Sequence, residues 1–569
     1  MAKNYKLFIL AGLSGIVLAL AYPGWDFNLG FLIWIGFIPL FYALANQSRF
    51  SSFLTGFIAG LFYFLIIFRW FWSIYPLDTM GIHGRFASLS IVFVIYVISS
   101  AGMAAFWGLF GLTTSFQFLV SGKFKKRSCQ LISCLLVIPA LFVLLEYARA
   151  YGFSLLWAGS GTLFGSHWTM GNLAYALAGN SLALKLSSVA GIYGVIFVII
   201  LVNYLAVALL ASRPWLAKLA KTKMPIVTMG IFASVLALLI MAPKIIKFKE
   251  PVTEKTVNFA LIQTDQPTKI SSTPKETLDA FKEQLDLLKR VAQEHPESQL
   301  IIFPEASDFF KNLSLFLTGP QIPNYFSNLF KEPKLIIAGA RIINADGRAY
   351  SRVFSLDTQK DIIGFYDKRL LMPGGEFLSY PMKLLVNFLS KTKVSEFGDI
   401  RELGIGNKKV STVNFRGQFS VAPLVCSEFL SPSLARKTTE GSDIIVEMAS
   451  YGVFHGSGTL AKQNLAIARF RAAENQKPLL VASNMGLSYA INSEGSVGFI
   501  TQNREAQILT GSIALNPRKS WYNKVGDIPV LMGSLVLGIL GFGLQVSGCR
   551  EKNKILVKEE PRINNDKLL

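Results

Sequence analysis

Long apolar runs separated by short polar gaps fill the first 245 residues. A helix rises about 1.5 Å per residue, so about 20 apolar residues cross a hydrocarbon core. Eight runs fit or approach that length: 6–22, 30–46, 52–72, 88–118, 130–150, 186–211, 225–243 and 527–546. The first predicts a retained span rather than a cleaved signal peptide, because another apolar run follows almost at once.

The pattern changes between residues 250 and 520. Short β-branched runs predict buried strands at 257–263, 299–305, 334–340, 421–428, 442–450 and 478–484. Between some of them lie helical periods. One, at 275–295, places Leu278, Phe281, Leu285 and Leu288 on a single face; another covers 458–475. Alternating strands and helices predict an α/β sheet with helices packed outside it. The expected organisation is a seven-span membrane domain (1–245), a globular catalytic domain (250–520), a last span (527–546) and a basic tail (549–569).

Composition agrees with the membrane class. Hydrophobic residues make up 52% and charged residues 16% of the chain. The net charge of +21 raises the question of nucleic acid. Its placement answers it: Lys and Arg sit in alternate gaps between apolar runs and in the tail, with no basic and aromatic stripe. Those gaps and the tail hold Lys3, Lys6, Arg49, Lys123 to Arg127, Arg213 to Lys223 and Arg550 to Lys567, whereas residues 23–29 carry no Lys or Arg. The positive-inside bias therefore predicts both termini in the cytoplasm and the globular domain outside it.

Three strand ends carry candidate chemistry. LIIFPEAS presents Glu305, the loop GFYDKRLLMPGGEF presents Lys368 and Glu376, and VAPLVCSE ends at Cys426. A thiol is a weak nucleophile at its free pKa of about 8.5 and needs a base. A carboxylate serves as base. An ammonium and the backbone N–H after the nucleophile stabilise the oxyanion formed on attack at a carbonyl. That division makes Glu305 the base, Cys426 the nucleophile, and Lys368 with the Ser427 amide the oxyanion hole. Of the four histidines, only His455, in YGVFHGSG, competes as a partner for Cys426. No HExxH, Walker loop or zinc-like cysteine spacing occurs, so neither metal nor nucleotide cofactor is expected.

These frames resemble the nitrilase, or carbon–nitrogen hydrolase, superfamily, which implies an αββα sandwich with a Glu-Lys-Cys triad. The whole layout resembles the apolipoprotein N-acyltransferase family of bacterial envelopes. The resemblance is carried by LLEYARAYGF at 144–153, GIYGVIFVIILVN at 191–203, FPEAS at 303–307, YDKRLLMPGGEF at 366–377, LVCSE at 424–428, ARFRAAENQKPLL at 468–480 and SNMG at 483–486. It implies Glu305, Lys368 and Cys426 as catalytic residues, with Glu376 and Glu428 supporting. It also implies an inner-membrane enzyme with a periplasmic catalytic domain. That enzyme would move an acyl chain from a phospholipid, through a Cys426 thioester, to the α-amine of a diacylglyceryl-cysteine apolipoprotein. The alternative is a membrane-tethered amidase using the same triad. The chain departs from the family pattern at Ser427, where an aromatic is common, and at Gly374.

Several segments stay open at this level. Glu146 and Arg149, three apart on one helix face, fit an intramembrane functional pair or an ion pair at the interface. Arg69-Trp70-Phe71-Trp72 fits an interfacial aromatic belt. The stretches 381–391, with Met382, Leu385, Val386 and Leu389 on one face, and 309–317 fit either a membrane-resting arm or packing on the sheet.

Overall fold

The computed structural model describes residues 2–45, 47–82, 84–121, 127–159, 167–210, 255–268, 272–305, 307–345, 347–389, 402–407 and 412–541. The amino-terminal part is helical: α1 (Ala2–Ala21), α2 (Ile38–Leu44), α3 (Arg49–Ile67), α4 (Arg85–Ser121), α5 (Arg127–Leu156) and α6 (Ser181–Leu210). Among the described residues, four helices are long and apolar enough to cross a membrane: Arg49–Ile74, Arg85–Thr114, Cys134–Leu156 and Ser181–Ala208. Tyr5–Ala21, Gly30–Leu44 and Ile528–Gly541 are shorter apolar helices. The run at 225–243 and the tail lie outside the described residues. An eight-span count is therefore not what the described residues display. The clearest difference is at 30–46, where a 3-10 turn (Gly30–Trp34) is followed by a helix of only seven residues. Pro39 stands at the start of that second helix, where its missing N–H would be unpaired anyway, so it begins a new element instead of continuing the old one.

α6 is not continuous either. Gly191 takes φ +62°, and a Cβ there would lie 2.5 Å from the Tyr522 ring. The break frees the Ile192 N–H, which donates to Glu474 Oε1 of the catalytic domain at 3.1 Å.

The second part is a four-layer αββα sandwich, as the family resemblance implies. One sheet holds β1 (Thr256–Gln263), β2 (Leu300–Ile302), β3 (Leu335–Ile343), β4 (Ala349–Asp357), β5 (Ile362–Asp367) and β12 (Gln507–Ala514), in the order β12-β1-β2-β3-β4-β5. The other holds β6 (Val413–Phe415), β7 (Phe419–Val425), β8 (Ile444–Ser450), β9 (Leu479–Asn484), β10 (Tyr489–Ile491) and β11 (Val497–Ile500), in the order β11-β10-β9-β8-β7-β6. Phe259, Leu261, Ile302 and Ile337 of the first sheet meet Val421, Ile444, Val446 and Leu480 of the second in a fully buried core. Fully burying each such side chain contributes about 1.5–3 kcal/mol.

Helices α7 (Pro274–Glu294), α8 (Phe309–Leu313) and α9 (Gln321–Leu329) cover the outer face of the first sheet, with Phe281, Leu288, Phe309 and Phe326 buried against it. α7 starts at a capping box in which Thr273 and Glu276 satisfy each other's backbone N–H groups. The stretch 309–317 is thereby decided: Phe309, Phe310 and Leu313 pack, and of its apolar residues only Leu315 and Phe316 are exposed. α10 (Tyr380–Leu389), α11 (Pro432–Thr438) and α12 (Gly458–Asn475) follow. The outer face of the second sheet and α12 share one continuous apolar core with the membrane helices. Polar links cross the same seam. Thr169 Oγ1 donates to the Leu430 carbonyl at 2.5 Å, and Gln463 Nε2 donates to the Ile67 carbonyl at 2.9 Å.

Glu146 and Arg149 form a two-pronged ion pair, Nε to Oε2 at 2.8 Å and Nη2 to Oε1 at 2.6 Å. Both are buried inside the bundle rather than placed at its interface, with the guanidinium over the Phe64 ring. A pair that close satisfies both charges mutually, which favours the structural reading.

Candidate active site

β2 and β5 run parallel within the first sheet, through two antiparallel steps at β3–β4 and β4–β5. A parallel bridge between Thr264 and Asn484 sets β1 and β9, and hence β7, in the same direction. The carboxyl ends of β2, β5 and β7 therefore meet at one edge of the sandwich. Glu305 follows β2, Lys368 directly follows β5, and Cys426 directly follows β7. Residues 63 and 58 positions apart in the chain become neighbours because the two sheets face each other.

Lys368 is buried, and its ammonium donates to Glu305 Oε1 and to Glu376 Oε1, each at 2.8 Å. Glu376 is held by its other oxygen, which accepts from the Met372 N–H at 2.8 Å. The Cys426 thiol lies near enough to the Glu305 carboxyl for each to influence the other's ionisation. Cys426 itself has φ +48°, a left-handed backbone that side chains rarely adopt. That turn ends β7 abruptly and opens a 3-10 turn, Cys426–Leu430, so the strand predicted at 421–428 stops at Val425. Strain of this kind is held only if the surroundings fix it.

Glu428 supplies that support. Its Oε1 accepts from Tyr366 Oη at 2.6 Å and from the Arg369 N–H at 2.7 Å; its Oε2 accepts from the Val425 N–H at 2.9 Å. One fully buried carboxyl thus ties the cysteine turn to the lysine loop. Ser427 adds a second tie, its hydroxyl donating to the Leu370 carbonyl at 2.5 Å. The lysine loop turns at Gly374, which has φ +82° and lies against the Met382 side chain. That backbone favours glycine and gives the departure from the family pattern a physical basis.

Burial lifts the Glu305 carboxyl above the usual carboxylate range, and the Glu376 charge adds to this while Lys368 opposes it. Burial disfavours the Lys368 ammonium, but Glu305 and Glu376 outweigh it and hold the pKa well above the usual lysine value. Burial and then the Glu305 charge push the Cys426 thiol well above its ordinary range, against Lys368. The resting site is a neutral thiol beside a carboxylate that is more basic than usual, next to a locked ammonium. Thiol reactivity should therefore fall on the acid side as pH drops through the raised Glu305 pKa, because a protonated carboxyl takes no proton. Lys368 stays charged through the alkaline range. The rate of Cys426 acylation against pH checks this: an acid limb is expected, with no loss from lysine titration up to about pH 10.

His455 plays no part with the thiol. Its Nδ1 lies 2.6 Å from the Ser73 carbonyl, and the residue is exposed. The alternative Cys426–His455 pairing is thereby corrected. Trp70, read from the sequence as belt, is buried instead and packs edge-on against Phe454. It reaches the catalytic domain because Phe68–Ile74 is a 3-10 turn at the end of α3.

A cavity opens from Cys426. Its lining includes Ser427, Glu447, Tyr451, Asn464, Trp70, Met170, Met372 and Phe454. A second cavity shares Trp70, Met170, Met372 and Phe454 with it and continues past Phe71, Ile95, Phe153 and Met382. A third shares Phe71, Ile74, Ile95 and Met382 and runs on between Ile91 and Val92 of α4 and Leu385 and Val386 of α10. α10 settles the reading of 381–391 both ways. Met382 and Val386 pack inward, while Tyr380, Leu384 and Phe388 form an exposed stripe on the opposite face. Leu389 lies at its end, where its side chain is outside the description. Glu447 was not singled out from sequence, and Trp70 and Phe71 were read only as belt residues, not as cavity lining. The available signal for Glu447 was a lone carboxylate inside an otherwise apolar strand.

Two family models divide the chain. Residues 14–205 match the apolipoprotein N-acyltransferase N-terminal domain, and residues 258–523 match carbon–nitrogen hydrolase. An apolipoprotein N-acyltransferase of Geobacter metallireducens is 26% identical over 94% of this chain and 95% of its own. The chain belongs to the apolipoprotein N-acyltransferase family. Another such enzyme, from Borreliella burgdorferi, is 24% identical over 97% of this chain and 98% of its own. Among solved structures, a carbon–nitrogen hydrolase from Helicobacter pylori aligns with 46% of this chain and 89% of its own, at 16% identity and TM-score 0.34. As a member of the apolipoprotein N-acyltransferase family the chain is an acyltransferase, with the superfamily's two-sheet domain carried on a set of long apolar helices.

Proposed function

We propose that this acyltransferase moves an acyl chain from a phospholipid to the α-amine of a diacylglyceryl-cysteine apolipoprotein. Cys426 attacks the ester carbonyl while Glu305 takes the thiol proton. Lys368 and the Ser427 N–H hold the oxyanion. The C–O bond then breaks, the leaving lysophospholipid alkoxide takes the proton from Glu305, and an acyl thioester remains. The amine attacks the thioester next, Glu305 accepts a proton, the C–S bond breaks, and the thiolate recovers that proton. The order is ping-pong.

The observation that carries this reading is the run of apolar cavities from Cys426 to the seam between α4 and α10. A small polar amide needs no such channel, whereas an acyl chain fills it. It also keeps water from the thioester. Beside its far end, Phe86, Leu89 and Phe93 of α4 and the α10 stripe are exposed apolar residues suited to lipid. The alternate-gap charge bias supports an inner-membrane enzyme with its catalytic domain on the periplasmic side and both termini in the cytoplasm. Glu376 and Glu428 act as positioning residues.

Mass spectrometry of Cys426 after incubation with phospholipid alone tests the reading. An acyl adduct is expected; release of ammonia from amides with no adduct would replace it with the amidase. Ile95→Trp fills the channel midway. It should cut thioester formation from long-chain phospholipids by roughly tenfold, and leave donors with short chains within about twofold, as a steric block of one pocket predicts. Equal loss for all chain lengths counts against the channel.

A further inference from the structure

β8 turns Ile444, Val446 and Met448 into the core between the sheets, and Ile445, Glu447 and Ala449 to the other face. The register places Glu447 in a row across the second sheet: Leu424 on β7, Glu447 on β8, Val481 on β9 and Tyr489 on β10. This is the face that packs on α12 and the membrane helices. Glu447 is the one ionisable carboxyl in the row, it is 1% exposed, and its Oε2 has no hydrogen-bond partner among the described residues. It lines the same cavity as Cys426. A buried carboxyl without a partner is costly, so fold stability does not explain it. A ligand group that enters the cavity does.

The mechanism lacks one proton acceptor. An α-amine has a pKa of about 7.7–8.0, so it arrives at neutral pH largely as ammonium. Attack requires the neutral amine, and a second proton leaves as the C–N bond forms. Glu305 accepts that second proton and passes it to the sulfur, so it cannot dispose of the first. We propose that Glu447 is a primary-amine site, receiving the acceptor's ammonium beside the Cys426 thioester and taking its surplus proton. The inference rests on the acyl-transfer reading above. The ammonium gives one proton to the Glu447 carboxylate, leaving a neutral amine and a neutral acid. The amine nitrogen then attacks, its next proton goes to Glu305, and the C–S bond breaks. Glu447 later returns its proton to solvent.

The titratable groups facing Glu447 are Glu305, Glu428, Lys368, Cys426, Tyr451 and Tyr489. Burial, then the charges of Glu305 and Glu428, push its carboxyl well above the usual range, with Lys368 opposing. That direction makes the Glu447 carboxylate a stronger base toward an ammonium than an ordinary carboxylate. A lipid headgroup amine has the same chemistry, so the test separates the two sources.

The experiment uses the full chain in detergent and reads two steps separately. Loading of Cys426 is followed by mass, from phosphatidylethanolamine and from phosphatidylglycerol. Transfer from the loaded enzyme to a diacylglyceryl-cysteine peptide is followed in a single turnover against pH. E447Q should load equally from both donors, yet transfer about tenfold more slowly at pH 7, where solvent leaves only about a tenth of the amine neutral. The deficit should close above the amine's own pKa of about 8, where solvent supplies the neutral amine. E447L, matched to the apolar row, should give the same split and serves if E447Q does not fold. A loss confined to loading from phosphatidylethanolamine would keep the amine site but assign it to the donor headgroup. Normal transfer at pH 7, or a deficit that does not change with pH, overturns the proposal. If the unsubstituted enzyme loads from neither donor, the acyl-transfer reading itself fails. The amine site is then judged by thiol protection. The free-amine peptide should slow iodoacetamide attack on Cys426 more than its N-acetylated form, and E447Q should abolish that difference. Equal protection by both peptides in the unsubstituted enzyme overturns it.

Discussion

Cys426→Ala is expected to lower N-acylation by of order 10⁵-fold or more, to the level of the uncatalysed background. The reason is stoichiometric. The thioester is the only link between donor and acceptor in the proposed sequence, so no partial route survives its loss. Cys426→Ser should be nearly as inactive, because a hydroxyl is far less acidic than a thiol and gives up its proton to a carboxylate far less readily. Stability should change little. The side chain is only half-buried, faces a cavity, and leaves the Glu428 ties to Val425 and Arg369 intact. A loss of about 1 kcal/mol or less is expected, in line with substitutions that remove no buried partner. Normal insertion and thermal unfolding, together with the absence of any acyl adduct, would confirm this. Robust turnover by either variant would remove Cys426 from the mechanism.

Lys368→Met should be severe in both activity and stability. Lys368 is 1% exposed and is the cation shared by Glu305 and Glu376. Without it, two carboxylates are left facing each other across a mostly dry site. Breaking a buried ion pair from one side costs about 3–5 kcal/mol. The carboxylates respond by binding a proton, which disables Glu305 as base. The oxyanion also loses its strongest donor, for which about 10²–10³-fold in rate is usual. Combined loss should exceed about 10⁴-fold if both effects act on the same step. Lys368→Met with Glu376→Gln separates the two. Removing the second carboxylate should restore most of the thermal stability in detergent, yet leave N-acylation undetectable. Recovery of activity in the double variant would show that Lys368 serves only to balance charge.

Glu305 and Cys426 were legible because each sits at the end of a buried strand, and such strands announce themselves through consecutive apolar residues; Lys368 follows β5, a largely exposed strand, and stood out only by its motif. β1, β2, β3, β7, β8 and β9 were recognised this way. β4, β5, β6, β10, β11 and β12 were not. In Ala349–Asp357 (β4) and Gln507–Ala514 (β12), polar and apolar residues mix, and half-exposed antiparallel strands depend on their neighbours for stability. The span at 30–46 was over-read for a related reason. Apolar composition sets solvent preference, but Gly36 and Pro39 decide whether the backbone can stay helical, and here it does not.

By itself the sequence determined which stretches are apolar enough for lipid, where charge accumulates, and which carboxylate, ammonium and thiol stand at strand ends. These are properties of local composition and period. Only the tertiary structure decided that Trp70 leaves the interface to wall the thiol cavity, that His455 turns away to Ser73, that Glu428 braces the strained cysteine turn, and that Glu447 lines the cavity with an oxygen unpaired among the described residues. Each of these depends on two segments far apart in the chain arriving at one place. Pattern along a chain records what a residue prefers to be near, not which residue it meets.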